Sequence, residues 1–221
     1  MALHFPSKIT DVICLLSFAS STIIQDIETI CDAGQALMAY FYFDFRDVNK
    51  QHWRDLISSL LTQLSSRSDL CRDNLSRLYS DHDDGARQPS DDTLGHCLIE
   101  MLKVQGQGPI YLIMDALDEC PNNELPSPRD RILWFLKELV DLRLPNVCIC
   151  VTSRPEFDIR NVFEPLTSRR VSLHDQSGQK KDIEDYVRSV VYSNAEPIMR
   201  RWRKEDKELV IKTLSERADG M

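Results

Sequence analysis

Short apolar runs along the chain predict the strands of a buried sheet. The run at 37–45 (LMAYFYFDF) is almost continuously aromatic or aliphatic, which is typical of a strand covered on both faces. Runs at 109–115 (PIYLIMD) and 146–153 (NVCICVTS) predict two more buried strands, and 169–174 (RRVSLH) predicts a fourth.

Apolar residues that recur every three or four positions predict helices between these strands. The clearest such face consists of Trp53, Ile57, Leu60, Leu61 and Leu64. A second helix is predicted over 69–80. A third follows the N-cap residue Ser90 and carries Leu94, Cys97, Leu98 and Met101. The polar segment 80–90 between these two helices is predicted to be a loop.

Three further helices are predicted in the carboxyl-terminal half. Ser127 and Pro128 form an N-cap and first turn, followed by the face Ile132, Leu133, Leu136, Leu139 and Val140. Another face consists of Ile183, Tyr186, Val187, Val190 and Val191. A last helix is predicted to run through Trp202 towards Leu214.

The alternation of strands and helices predicts a parallel sheet covered on both faces. In such sheets, ligands bind at the carboxyl ends of the strands. Asp115 ends one predicted strand, and the pair Ser153 and Arg154 ends another. The sequence therefore predicts a ligand site at this edge of the sheet.

The residue types at this edge suit a magnesium-nucleotide site. Mg²⁺ is held by one or two carboxylates together with substrate phosphates and water, and Asp115 fits that role. Asp118 and Glu119 follow closely enough to orient or deprotonate an attacking water, and Arg154 could contact a terminal phosphate. The alternative is an acidic junction in which Arg154 pairs with these carboxylates for structural reasons.

Composition and charge limit the classes of function that this chain can have. The chain has 221 residues, 42% of them hydrophobic and 28% charged, which is typical of a folded domain. Its net charge of −8 argues against a nucleic-acid partner. The one dense basic run, 200–207 (RRWRKEDK), is interpreted as the solvated face of a helix rather than a phosphate-binding patch. His82 among aspartates is interpreted as part of an exposed acidic loop rather than a metal site.

Cysteine usage and hydropathy favour a cytoplasmic protein without a membrane segment. The seven cysteines include no CxxC pair, so we expect reduced thiols rather than a zinc site or disulfides. Cys148 and Cys150 are predicted to face one side of a buried strand. The apolar run 12–19 (VICLLSFA) loosely imitates a signal peptide, but Asp11 adjoins it and no segment reaches the length of a membrane span.

The motifs YLIMDALDEC (111–120) and CVTSRPE (150–156) resemble the NACHT domains of STAND signalling P-loop NTPases, especially the nephrocystin-like, NLR-type proteins of filamentous fungi. The segments YFYFDFRD (40–47) and LISSLLTQL (56–64) support the same resemblance. It implies that Asp115 is the Walker B magnesium ligand, that Asp118 and Glu119 form the second acidic pair, and that Arg154 is the sensor arginine.

The resemblance also implies a fold and a division of the chain. The expected fold is a three-layer α/β P-loop NTPase-like domain with a mostly parallel sheet, a degenerate first strand and phosphate loop, and helices at the carboxyl end. The expected divisions are a divergent segment at 1–19, a NACHT-like core at 20–176, and a truncated helical region at 177–221. Implied cofactors are Mg²⁺ with ATP or GTP.

The phosphate loop of that family is missing from this sequence. The chain has no G-x-x-x-x-G-K-[ST] and no Gly-Lys, and its first glycine is Gly34. Aligned without gaps on SSTIIQDI (20–27), Ser17 takes the place of the magnesium-binding Ser, Leu16 that of the Lys and Leu15 that of the Gly. Lys8 lacks flanking glycines and is out of register. Losing two or three hydrogen bonds to charged phosphates removes about 4–6 kcal/mol of binding free energy.

Two functions from different classes are therefore expected. One is a NACHT-type nucleotide-binding signalling domain with weak or no nucleotide binding in this chain, whose activity as an enzyme the missing loop argues against. The alternative is a non-enzymatic interaction scaffold, or an inactive fragment of an NLR-like protein. Self-association or an NLR-like partner protein is the partner expectation, with neither nucleic acid nor membrane.

Overall fold

The structure is a computed structural model, and it describes residues 12–15, 18–123, 127–154, 156–166, 169–170, 177–193 and 202–217. The chain divides into two compact units, Met1–Val171 and Ser172–Met221. The first unit contains the sheet and the predicted site. The second is helical.

The first unit is built on a parallel sheet. Its strands are β1 (Val12–Leu15), β2 (Leu37–Tyr42), β3 (Ile110–Asp115), β4 (Val147–Thr152) and β5 (Arg169–Arg170). Their order across the sheet is β2-β3-β4-β1-β5, and every described pair is parallel. The first strand, expected to be degenerate, is a regular member of this sheet between β4 and β5.

Helices cover both faces of the sheet. They are α1 (Phe18–Asp32), α2 (Trp53–Arg67), α3 (Asp69–Ser80), α4 (Asp91–Lys103), α5 (Pro128–Asp141) and α6 (Phe157–Phe163). On one face, α1 packs Ile23, Ile24 and Ile27 against Met38, Ile113 and Cys150. On the other face, residues of the remaining helices pack with alternate strand residues such as Ala39, Leu112 and Ile149. This is the predicted three-layer α/β fold.

The predicted helices of the first unit are confirmed, with their caps. All five residues of the predicted α2 face are buried. The Ser90 hydroxyl accepts a hydrogen bond from Thr93 N, and the Ser127 hydroxyl accepts one from Asp130 N, so both serines are N-caps as predicted. Pro128 occupies the first turn of α5.

The strand predicted at 37–45 is too long by three residues. β2 ends at Tyr42, and Phe45 is 66% exposed. The chain turns here because the Asp44 carboxylate accepts hydrogen bonds from Arg46 N and from the Arg46 guanidinium, and Asp47 caps a 3₁₀ helix at Val48–Lys50. These local side-chain acceptors compete with an extended backbone.

The second unit contains α7 (Ser177–Tyr192) and α8 (Lys204–Arg217). The helices are joined by hydrogen bonds from Arg188 and Tyr192 to Glu208. Two predictions are wrong in detail. Tyr186 is 70% exposed rather than part of a buried face, and α8 begins at Lys204, so Trp202 precedes it. The predicted strand at 169–174 is described only at 169–170, and residues 171–176 lie outside the described part.

The six cysteines whose side chains are described form no disulfide with one another. Cys150 is buried against α1 and Cys148 is partly buried, two positions apart on β4. In the described residues, no helix is long and apolar enough to cross a membrane.

Candidate functional site

The sheet topology defines where a ligand would bind. From β1 the chain crosses through α1 to β2 at one edge, whereas from β4 it crosses through α6 to β5 at the other edge. These crossovers lie on opposite faces, as the packing of α1 and of the α6 residues Ile159 and Phe163 confirms. In open α/β sheets a ligand crevice forms at such a reversal. Here it lies at the carboxyl ends of β1 and β4, with the end of β3 beside them.

Asp115 ends β3 at this crevice and is held by β4. Its side chain is buried, and its carboxylate accepts a hydrogen bond from the Thr152 hydroxyl. The same Thr152 oxygen accepts a hydrogen bond of 2.8 Å from Ala116 N. The hydroxyl donates its own proton to Asp115 and accepts a hydrogen bond from Ala116 N. It therefore fixes both the carboxylate and the backbone that follows.

The chain turns sharply after Asp115. Ala116 has φ 56° and ψ 47°, the left-handed conformation that a residue with a Cβ adopts at a cost of about 1 kcal/mol. This conformation leads directly into a 3₁₀ helix at Leu117–Glu119. The strained turn therefore places Asp118 and Glu119 beside the end of β3. Non-glycine residues in this conformation concentrate at functional sites.

Asp118 and Glu119 connect the turn to the two neighbouring strand ends. Asp118 Oδ1 accepts a hydrogen bond of 2.9 Å from Arg154 N, just past β4. Glu119 Oε2 accepts one of 3.3 Å from Phe45 N, just past β2. The predicted acidic pair therefore joins three strand ends through backbone N–H groups. A catalytic role was predicted for both residues, and in the structure both carboxylates hold strand ends together through these hydrogen bonds.

Arg154 lies at the surface of the site. Its Nε is 3.5 Å from Asp118 Oδ2, and its side chain is 79% exposed while that of Asp118 is 7% exposed. The guanidinium is thus held loosely on one side and open to solvent on the other. It could contact an anion at the crevice mouth, as predicted, or simply pair with Asp118, as the structural alternative holds.

A buried arginine that the sequence analysis missed supports the acidic turn. Arg129, in the first turn of α5, donates from Nη2 to Asp118 O at 2.5 Å and from Nε to Cys120 O at 2.8 Å. Its Nη1 pairs with Glu156 and, at 3.2 Å, with Asp158. Burial acts to lower the pKa of Arg129, but Glu156 and Asp158 more than offset it, so the pKa is raised. Arg129 is therefore a permanent cation beneath the site.

The rim on the β2 side carries one titratable group next to Asp115. Tyr42 is aligned with Asp115 across the β2–β3 pair and is partly exposed. Partial burial, followed by the nearby Asp115 charge, raises the pKa of Tyr42. Its hydroxyl therefore stays protonated, and the side chain neutral, at neutral pH.

The region between β1 and α1 lacks the sequence of a phosphate loop. β1 ends at Leu15 and α1 begins at Phe18, and the chain contains neither a G-x-x-x-x-G-K-[ST] motif nor a Gly-Lys pair. Such a loop binds phosphates with several successive backbone N–H groups and a lysine, and the sequence offers no equivalent here. Ser17 and Leu16 lie outside the described residues, as does Lys8, so the predicted role of Ser17 stays a prediction.

The described residues offer few protein ligands for a cation. They contain no group of three His, Cys, Asp or Glu side chains arranged to hold a metal ion, and the His82 ring instead lies 2.8 Å from Leu78 O. Mg²⁺ at a nucleotide site needs only one or two carboxylates because phosphates and water complete its shell. Asp115 fits such an ion only as part of a complex with a nucleotide.

No curated protein matches the chain at a significant level. Among solved structures, a Drosophila ORC bound to DNA aligns over 94% of this chain and 45% of that chain, at 12% identity and a TM-score of 0.49. The chain thus spans less than half of that protein's length, and a likeness at this level assigns no function.

The chain matches a family model over more than half of its length. The model of the family described as nephrocystin 3, N-terminal, matches residues 14–154. The matched range contains the end of β1, all of β2–β4, the acidic turn, Ser17 and Arg154. Since the match covers more than half of the sequence, the chain belongs to the nephrocystin 3, N-terminal family.

Proposed function

We propose that this chain is a NACHT-type signalling domain of the STAND class in which the magnesium-binding edge persists and the phosphate-binding loop does not. It binds magnesium-nucleotide weakly, at about millimolar concentration or above, and does not act as an efficient nucleoside triphosphatase. The observation that carries this proposal is that Asp115, buried and bonded to Thr152, ends β3 in a sequence that contains no phosphate-loop motif.

The geometry of Asp115 supports the proposal that the magnesium-binding edge is retained. A buried carboxylate at a strand end, oriented by a hydroxyl from the neighbouring strand, is preorganised to accept a cation. Arg154 supplies an exposed positive charge nearby. ATP or GTP with Mg²⁺ is therefore the ligand class that we propose, at low affinity.

The contacts of the acidic pair favour weak or absent hydrolysis. A general base must be able to reach the proton that it abstracts. The Asp118 carboxylate is already bonded to Arg154 N and is nearly excluded from solvent, and Glu119 contacts Phe45 N. We propose that both residues anchor the strand ends in this chain. Catalysis is the role that the resemblance to the NACHT family implies for them.

A second candidate function is a non-enzymatic interaction module with NLR-like partners. It is favoured by two large aromatic side chains that stand in solvent, Trp134 on α5 at 72% exposure and Phe157 on α6 at 82%. Exposed aromatic residues are enriched at protein interfaces. If the chain binds a related NLR-like protein with an affinity that nucleotide does not change, this function is favoured over the first.

A loop graft tests the proposed function. Residues 15–17 are replaced in the full chain by a G-x-x-x-x-G-K-S segment, and magnesium-ATP binding is measured by calorimetry. We expect an affinity gain of about a thousandfold, because the graft returns the lost phosphate contacts. The same graft carrying Asp115→Ala is the control and should lose that gain. A folded graft without any gain would contradict the retained magnesium edge.

A further inference from the structure

Three residues form a row across the carboxyl ends of β2, β3 and β4. Tyr42 is aligned with Asp115 in the β2–β3 pair, and the alignment of Met114 with Val151 places Asp115 beside Thr152. The Thr152 hydroxyl donates to the Asp115 carboxylate, as this register requires. Because neighbouring strands lie about 4.8 Å apart, Tyr42 and Thr152 flank Asp115 from its two sides.

The side chains of this row lie on one face of the sheet, the face that α1 covers. The residues of β2, β3 and β4 that pack with α1 are Met38, Ile113 and Cys150. Successive side chains of a strand alternate between the two faces, so residues an even number of positions apart share a face. The three residues of the row follow those three by four, two and two positions. Tyr42 therefore stands next to Asp115 on the same face.

The three residues of the row differ in their exposure to solvent. Thr152 is 0% exposed and Asp115 is 8% exposed, whereas Tyr42 is 38% exposed. Burial and then the Asp115 charge raise the pKa of Tyr42, so its hydroxyl lies within reach of that charge. No group in the described part of the chain is hydrogen-bonded to the Tyr42 hydroxyl. Thr152 thus holds the carboxylate from the interior, and Tyr42 offers a donor on the solvent side.

The Tyr42 ring is held in place by its neighbour on β2. It packs edge-to-face against the Tyr40 ring, with ring centroids 5.5 Å apart and an angle of 65° between the planes. The Tyr40 backbone is itself fixed by α2, because Tyr40 N donates to Gln63 Oε1 at 3.0 Å and Gln63 Nε2 donates to Tyr40 O at 2.7 Å. A side chain ordered before a ligand arrives loses little conformational freedom on binding.

We propose that Tyr42 is a further binding residue of the Asp115 site, and that its hydroxyl donates a hydrogen bond to a phosphate oxygen of the bound magnesium-nucleotide. This inference rests on the proposed function. Mg²⁺ held by a carboxylate takes phosphate oxygens as further ligands, which brings strong acceptors next to Asp115. A neutral hydroxyl donates to such an oxygen without competing with Asp115 for the cation.

The test removes this hydroxyl from the full chain and follows magnesium-ATP binding by NMR at the amide of Ala116. We expect Tyr42→Phe to weaken the affinity at least about fivefold, because it keeps the ring and removes the donor to a charged group. The matched control is Tyr40→Phe, which removes a hydroxyl from the adjoining ring two residues before the end of β2 and should bind like wild type. Equal affinities of Tyr42→Phe and Tyr40→Phe would overturn the proposal.

A second measurement locates the ligand without relying on affinity. Paramagnetic manganese-ATP, used in place of magnesium-ATP, should broaden the ring signals of Tyr42 more than those of Tyr111, which lies about 13 Å before Asp115 along β3. Asp115→Ala should abolish this broadening. Broadening at Ala116 that spares Tyr42 would overturn the role of Tyr42 and leave the proposed function standing. Absence of any response at Ala116 would overturn both.

Discussion

The Thr152 hydroxyl donates a hydrogen bond to the Asp115 carboxylate, and its oxygen accepts one from Ala116 N at 2.8 Å. One side chain on β4 thereby fixes both the predicted magnesium ligand and the strained turn after it. All three residues are at most 9% exposed, so water cannot easily replace these bonds. Replacement of Thr152 should therefore disturb both the Asp115 carboxylate and the turn that follows it.

Thr152→Val should lower the free energy of unfolding by about 2–4 kcal/mol. Valine has nearly the same shape but leaves a buried N–H and a buried carboxylate without this partner. Thr152→Ser retains the hydroxyl and loses only a methyl group, so it should cost about 1 kcal/mol. Urea unfolding measures both. Equal stability of the two variants would show that the hydroxyl does not hold the turn.

Arg129→Met should destabilise the first unit by about 3 kcal/mol. The substitution removes a buried cation that donates to two backbone carbonyl groups and pairs with Glu156 and Asp158, and it leaves Asp158 with Asn122 as a remaining donor. The matched control is Lys137→Ala on the same helix, which removes an exposed ion pair with Asp141 and should cost under about 1 kcal/mol. If denaturant unfolding gives the two variants similar stabilities, Arg129 is not the support inferred here.

Cys97 and Cys120 should resist alkylation in the folded protein. Burial raises the pKa of Cys97 to about 11 and that of Cys120 to about 12. The thiolate is the reactive form, so each thiol is almost entirely protonated at pH 7.5. Iodoacetamide labelling followed by mass spectrometry should modify both cysteines only after urea unfolding. Rapid labelling of Cys120 in the native protein would contradict its burial.

The carboxyl group of Glu208 should titrate below its ordinary value of 4.5. The Tyr192 hydroxyl and then Arg188 donate hydrogen bonds that lower its pKa. A lowered pKa stabilises the α7–α8 contact above about pH 4.5, and this contribution is lost as pH falls through the folded-state value. Carbon-detected NMR titration should show the Glu208 pKa rising in Tyr192→Phe. An unchanged value would exclude the Tyr192 contact.

The strand and helix pattern was predictable because apolar spacing reflects burial directly. Asp115 could be placed at a strand end for the same reason. The sequence could not show that Thr152 meets Asp115, because that contact depends on the register in which Met114 is aligned with Val151. A hydroxyl at the last position of a neighbouring strand was the available signal.

Arg129 escaped prediction because it looks like an ordinary polar residue in the first turn of a helix. It is buried only because the acidic turn and the segment after β4 meet above it. The end of β2 was misplaced for a related reason. Local side-chain acceptors such as Asp44 end a strand where the apolar pattern continues.

We propose that this chain has a magnesium-binding edge without a phosphate-binding loop. The most direct measurement is calorimetric titration of the folded chain with magnesium-ATP and magnesium-GTP, with Asp115→Ala as the control. We expect no binding below about millimolar nucleotide for either protein. Micromolar binding by the wild-type chain that Asp115→Ala abolishes would contradict it.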